Sequence, residues 1–325
     1  MDKAVLRILD ANLNRAIEGL RVLEELARLK LDDAVLSQAL KDLRHDIARL
    51  PDVPRAGLLA ARDSQADIGR DIEAPGQDET RSLAGTVSAN ARRAQEALRV
   101  MEELARTPGA ALEGERFRKA RFAVYTLEKR LILRLARQDT IARLPGLHAV
   151  ITGGSPDYVK LAGDALAAGA AAIHLRARAP ERDLLPVALR LKEACARSGA
   201  LLLVEERATL AAAAGASGAI LKPGDLPPRL VRELIAADMI IGVAVSSPEQ
   251  AARAAAEEAD FLVAHIEDLD SVRAAGDLPL VAGGDISAGE AVKARRSGAR
   301  AIAVPAGAFS EIAAACRQEE SHGKP

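Results

Sequence analysis

The sequence predicts an α + α/β protein: an N-terminal duplicated helical-hairpin domain over residues 1–140, then a (β/α)8 TIM barrel over residues 146–318. Three observations carry that expectation. The stretch Asp10–Arg28 returns 78 residues later as Ser88–Arg106, with thirteen identities in nineteen positions. Up to about residue 140 apolar residues recur every three or four positions, the spacing of helices buried on one face. From Gly146 the rhythm changes: short β-branched or Leu-rich runs alternate with Ala-rich ones, and Gly recurs at the junctions.

The spacing predicts helices over Val5–Leu31, Ala34–Leu50, Leu83–Thr107 and Arg116–Ala136, punctuated by Pro51, Pro54, Pro75, Gly76, Pro108 and Gly109. "LKDLRHDI" at Leu40–Ile47 aligns loosely with "FRKARFAV" at Phe117–Val124, which sets Arg44 against Arg121, so the repeat covers a helical hairpin. Between the copies, the polar stretch Ala61–Glu79 is expected to form a long ordered loop, and Gln138–Pro145 a linker. Strands are expected at His148–Ile151, Ala172–Arg176, Leu201–Glu205, Gly218–Leu221, Ile240–Val245, Phe261–His265, Leu280–Ala282 and Ala301–Val304. Helices such as Asp157–Ala168, Glu181–Ser198, Pro248–Ala259 and Ala288–Ser297 separate them. Eight such units favour a closed barrel over an open doubly wound sheet.

Composition narrows the function. The chain has 325 residues, 49% hydrophobic and 28% charged, with no Trp, two Tyr and four Phe. Stacking platforms for nucleic acid have little to be built from, and a net charge of −1 lacks the basic excess of a nucleic-acid binder. No apolar run reaches the roughly 18 residues of a membrane span. Charges interrupt every apolar run of the opening "MDKAVLRILDANLNRA", so no leader peptide is expected. Cys195 and Cys316 lack CxxC spacing and read as small core residues of a reducing, cytoplasmic compartment.

A barrel carries its chemistry at the C-terminal strand ends. There the sequence places His174, Arg176 and Arg178 after strand two, Glu205 and Glu206 at strand three, and Lys222 and Asp225 after strand four. His265, Glu267 and Asp268 end strand six, Gly283 and Gly284 strand seven, and Ala306 and Gly307 strand eight. The small residues after strands seven and eight would let backbone N–H groups approach a phosphate, or would simply turn the chain. Glu205, Glu206 and Asp225 could supply oxygens to Mg2+ or be solvated charges at helix starts. Arg176 and Arg178 could clamp a phosphate or pair with Glu205. His174 and His265 read as satisfied wall residues rather than a metal site.

These strand ends resemble the thiamine-phosphate synthase/TenI family of barrels. "AAIHLRAR", "LLLVEERATLAAAAGASGAILKPGDLP", "IIGVAVSSPEQAARAAAEEADFLV", "LPLVAGGDI" and "ARAIAVPAGAF" carry the likeness in family order across Gly146–Ala315. The first domain resembles the helical domain fused ahead of such barrels in some bacteria, through "ILDANLNRAIEGLRVLEELAR", "LKDLRHDI", "ARDSQADIG" and "SANARRAQEALRVMEELAR". The resemblance implies coupling of hydroxymethylpyrimidine diphosphate to thiazole phosphate with Mg2+, releasing pyrophosphate. It implies small phosphorylated pyrimidine and thiazole substrates as partners, with neither nucleic acid nor membrane, and leaves a homo-oligomer open. By its alignment Glu206 and Asp225 would hold Mg2+, Arg176 would meet the diphosphate, and Gly283, Gly284, Ala306 and Gly307 would hold the second phosphate. The sequence also departs from the pattern. Glu205 stands where the synthases have Asn, and His174 where they have Gln, closer to the TenI branch. Ile220, Leu221, Lys222 and Pro223 replace a His-Leu-Gly-Gln stretch. After strand six "HIEDLDS" is short and acidic where the synthases carry a Thr- and Lys-bearing loop.

In the helical domain Leu13, Ala16, Leu20, Leu23, Leu26 and Ala27 share one face, with Asn12 inside it and Arg15 at its margin. The second copy repeats this with Asn90 and Arg93. Burying such groups is costly unless they are paired. They therefore imply a polar seam about a pseudo-twofold axis. One reading is a packing network of Asn–Asn bonds, with Arg15 and Arg93 pairing Glu18 and Glu96 or Asp63. The other is an anion pocket of Arg15, Arg44, Arg62, Arg93 and Arg121, with Asn12 and Asn90 orienting a heteroaromatic ring. The family resemblance associates this domain with phosphorylating the pyrimidine monophosphate, but no GxxxxGK[ST] loop is present. Three functions follow: a synthase barrel, a pyrimidine-phosphate kinase on a degenerate barrel, or a non-catalytic phosphate-ligand sensor or assembly partner.

Overall fold

The computed structural model describes residues 1–63, 80–110, 112–152, 157–176 and 178–322. Residues 64–79, within the stretch expected as an ordered loop, lie outside them. Two compact units emerge, Met1–Ala136 and Arg137–Pro325.

The first unit holds α1 (Lys3–Glu25), which ends in a π-helical turn at Leu26–Lys30, then α2 (Ala34–Ala48), α3 (Arg55–Ala61), α4 (Leu83–Leu104) and α5 (Gly114–Ile141). The short α3 was not expected. Gln138–Pro145 is corrected from linker to helix as far as Ile141, since nothing breaks the helical pattern before Pro145. Asp33 and Ser82 start α2 and α4 by accepting from the backbone N–H groups of Leu36 and Gly85. The duplication is visible in the packing. Leu9, Leu13, Ala16, Leu20 and Leu23 of α1 are buried, and so are their counterparts Val87, Ala91, Ala94, Leu98 and Met101 of α4. The two helices pack on each other, and Gly19 of α1 lies against Asn90 and Ala94 of α4. A Cβ there would stand 2.7 Å from the Asn90 carbonyl oxygen, so the crossing needs glycine.

The second unit is a closed parallel barrel in sequence order, β1 pairing with β8. Its strands are β1 (Gly146–Thr152), β2 (Ala172–Arg176), β3 (Leu201–Glu205), β4 (Gly218–Leu221), β5 (Ile240–Val245), β6 (Phe261–His265), β7 (Leu280–Gly283) and β8 (Ala301–Pro305). Side chains alternate along each strand. Val150, Ala172, Leu201, Leu203, Ile220, Ile240, Phe261, Val281, Ala301 and Ala303 fill the interior. Their neighbours Ile151, Ile173, Leu202, Val204, Leu262 and Val304 meet the helix layer. Large and small residues interdigitate inside. At Gly242 a Cβ would stand 2.3 Å from the Phe261 ring, so this glycine makes the space the ring fills. Below the strands the buried Asp260 accepts from the Ile241 N–H at 2.8 Å and from Arg232 at 2.7 Å, which ties the start of β6 to β5. No described helix is long and apolar enough to cross a membrane.

Candidate active site

The inward register of β2 brings His174 and then Arg176 up toward the barrel mouth, and that of β3 ends on Glu205. These three join a fourth residue, His148 of β1, in one continuous string. His148 Nε2 lies 2.7 Å from the Leu144 carbonyl oxygen, and its Nδ1 lies 2.9 Å from His174 Nε2. His174 Nδ1 lies 2.8 Å from Glu205 Oε1, and Arg176 Nε donates to Glu205 Oε2. His148 and His174 are fully buried and Glu205 nearly so, while the Arg176 side chain is about half exposed at the mouth. Burial opposes ionisation of Glu205, but the hydrogen bonds and charges of His174 and Arg176 prevail, holding its pKa below the ordinary carboxylate value. Burial, reinforced by the neighbouring His174, lowers His148 to about 3, so that ring is neutral. Both readings of Arg176 meet here: it is the ion-pair partner of Glu205 and still presents its outer nitrogens to the mouth.

The remaining expected residues surround this string unevenly. Glu206 takes a left-handed backbone conformation at φ 63°, a strained one for a side chain of this size. Lys222 Nζ lies 3.2 Å from Glu206 Oε2, and Asp225 Oδ2 accepts from the Lys222 backbone N–H at 2.9 Å. Each carboxylate keeps a second oxygen. Among the described residues no group of three or more His, Cys, Asp or Glu converges as a metal site. Two hard oxygen donors at adjacent strand ends nevertheless suit Mg2+, which takes one or two carboxylates and fills its shell with water and substrate phosphate. Gly283 closes β7, and Ala306 and Gly307 lie in the 3-10 turn Ala306–Ala308 after β8. A Cβ at Gly307 would meet nothing within 4 Å, so this edge is open. Gly284 has φ 128° and packs under the His265 ring, where a Cβ would stand 2.5 Å from Nε2. Arg178 is exposed beyond the end of β2. Cys195 and Cys316 are buried and form no disulfide, and burial pushes the Cys195 thiol up to about 12, far from a nucleophile.

In the helical unit the seven residues expected to share a pocket separate, some bonding carboxylates and others lining a groove. Arg44 and Arg121 bond the buried carboxylates Glu24 and Glu102 at 2.8 and 3.1 Å, and Arg62 bonds Asp10 at 2.7 Å. The Asn–Asn bonds do not form either: Asn12 and Asn90 donate to the Ile8 and Thr86 carbonyls of their own helices. Asn12, Arg15 and Arg93 line a groove of about 500 Å³ with Glu18, Glu96, Ala97 and Val100. Neither Arg15 nor Arg93 forms an ion pair among the described residues, because Glu18 and Glu96 stay beyond pairing distance. The residues missed in the sequence are His148, Glu24 and Glu102. A histidine inside the apolar strand "LHAVIT" and a Glu repeated with its Arg partner were the available signals.

Fold and strand-end chemistry define an enzyme of the (β/α)8-barrel class. Residues 147–308 match the model of the thiamine monophosphate synthase family, and residues 7–130 that of the ThiD2 family. The thiamine-phosphate synthase of Gloeobacter violaceus is 38% identical over 265 residues, 80% of this chain and 75% of that protein. That of Thermosynechococcus vestitus is 35% identical over 258 residues, 79% of this chain and 72% of that protein. The solved thiamine phosphate pyrophosphorylase from Pyrococcus furiosus is 27% identical and covers 56% of this chain and 98% of its own, with a TM-score of 0.49. The chain belongs to the thiamine-phosphate synthase family.

The neutral, buried His148 makes stability depend on pH. Below its ordinary value of 6.5 an unfolded chain takes up a proton that the folded barrel refuses until about 3. In that window the unfolded state binds more protons, so stability falls as the pH is lowered, by up to about 1 kcal/mol per pH unit. The depressed Glu205 acts in the same direction, its contribution being lost as pH falls through its folded value. Urea midpoints followed by circular dichroism should therefore drop between pH 6.5 and about 3. His148→Gln should flatten the upper part of that curve; equal slopes in both proteins would contradict a neutral His148.

Proposed function

We propose that the barrel joins hydroxymethylpyrimidine diphosphate to thiazole phosphate, giving thiamine phosphate and pyrophosphate. The observation that carries this reading is Arg176, locked by a buried carboxylate at one end and free at the mouth at the other. In the reaction a new C–N bond forms at the pyrimidine methylene carbon as its C–O bond to diphosphate breaks, and the electron pair leaves with pyrophosphate. Fixed positive charge aimed at that departing group lowers the barrier without reorganisation cost. Arg176 supplies it through a planar fork suited to phosphate oxygens. Glu206 and Asp225 would hold Mg2+, which supplies further charge to the diphosphate. Lys222, beside Glu206, adds an ammonium at the same edge. The small residues Gly283, Gly284, Ala306 and Gly307, open at Gly307, receive the phosphate of the second substrate, as the loops after strands seven and eight do in many such barrels. The acidic residues Glu267 and Asp268 after β6 place the diphosphate toward the β2–β4 side of the mouth, away from their charge.

A second reading concerns the helical unit. Arg15 and Arg93 are the duplicated guanidiniums left without a carboxylate among the described residues, and they share one groove with Asn12. That groove offers cations for a phosphate, and Glu18 and Glu96 as acceptors for ring amino groups. It supports binding of a phosphorylated heterocycle more than kinase chemistry.

Purified full-length protein given both substrates and Mg2+ should form thiamine phosphate, and Arg176→Ala should lower the rate by about 10²-fold or more. Absence of product from a folded wild-type protein would contradict the synthase reading. For the groove, calorimetry with hydroxymethylpyrimidine phosphate should show binding that the Arg15→Ala/Arg93→Ala double variant loses, and unchanged binding would reject it.

A further inference from the structure

His148 does not reach the mouth, yet both of its nitrogens are committed. A carbonyl oxygen can only accept, so the nitrogen 2.7 Å from Leu144 O carries the ring hydrogen. The other nitrogen of the neutral ring is then bare and accepts from His174 Nε2 at 2.9 Å. That bond fixes which way the His174 ring faces and turns its Nδ1 to Glu205 Oε1 at 2.8 Å. With Oε1 occupied, Oε2 is left for Arg176 Nε. One backbone carbonyl beneath the barrel thus orients each group in turn, up to the guanidinium at its mouth.

Among the described residues, His174 and Arg176 are the side chains bonded to Glu205. The inward residues beside this string are Val150, Ala172, Leu203 and Ile220, all apolar. Apolar side chains of similar volume could fill the same space without the desolvation that an imidazole, a doubly protonated imidazolium and a carboxylate incur. A long arginine side chain is mobile unless tethered. Anchored by Nε alone, it keeps both terminal nitrogens free and aimed outward.

We infer that His148 and His174 are positioning residues of the transferase: they hold Glu205 in one orientation so that Arg176 meets the pyrophosphate group with its terminal nitrogens already in place. This rests on the synthase reading for what Arg176 contacts, and the experiment separates the two. Neither histidine touches substrate.

The probe is inorganic pyrophosphate with Mg2+, titrated calorimetrically into the full-length protein. His148→Leu removes both the donor to Leu144 and the acceptor for His174, whereas a Gln amide can supply both. By analogy with residues that orient ligands from behind, His148→Leu should weaken pyrophosphate binding and lower kcat by roughly 10- to 100-fold, with little change in the KM for thiazole phosphate. His148→Gln should recover most of both. Wild-type affinity in His148→Leu, or equal losses in the two variants, would overturn the inference. Should His148→Leu not fold, ring 15N spectra of the wild-type protein decide. A neutral His148 with its hydrogen on Nε2 and a hydrogen-bonded His174 Nε2–H are expected, while a hydrogen on His148 Nδ1 would overturn it. Pyrophosphate binding that follows this pattern without thiamine phosphate being formed would count against the synthase reading alone.

Discussion

A carboxylate taken out of water into a barrel must be answered by donors on every side, or it costs several kcal/mol and stays protonated. Glu205 is answered from below by His174 and from above by Arg176, and the arrangement of the mouth follows from that pair of contacts. The string beneath it is why two strands of an otherwise Leu-, Val- and Ala-filled barrel carry histidine at inward positions. It also links the buried interior to the surface, since the group that neutralises the carboxylate is the one exposed at the mouth.

The helical unit solves the same problem twice. Glu24 is buried between Arg21 and Arg44, and Glu102 between Arg99 and Arg121. Glu102 illustrates the balance: burial raises its pKa, while the hydrogen bonds and charges of Arg121 and Arg99 lower it further and prevail. Retention of both clusters through the duplication follows from this, because losing the arginines would strand a charge in the core. The same pairing holds Arg44 and Arg121 at the buried carboxylates, while Arg15 and Arg93 line the groove.

The barrel was legible in the sequence because its strands are short, strongly apolar and closed by glycine, and five of the eight expected strands match the observed bounds. The helices were legible from their three- and four-residue spacing, and the duplication from thirteen identities. The polar partners were harder. Arg176 and Glu205 could be seen as a pair because both end strands. His148 sits mid-strand, where alternation alone does not reveal whether a histidine has a partner across the barrel. Glu24 and Glu102 lie in charge-rich "EEL" turns, and only the packed fold shows which of two neighbouring glutamates faces inward. A list of arginines likewise does not say which are already neutralised, as Arg44, Arg62 and Arg121 are.

The most direct measurement is the rate of thiamine phosphate formation by Glu205→Gln beside wild type. The amide keeps the shape and removes the charge that tethers Arg176. The account predicts a rate about 10²-fold lower in a barrel that remains folded. A variant as fast as wild type would show that Arg176 does not depend on Glu205, and the account would fall.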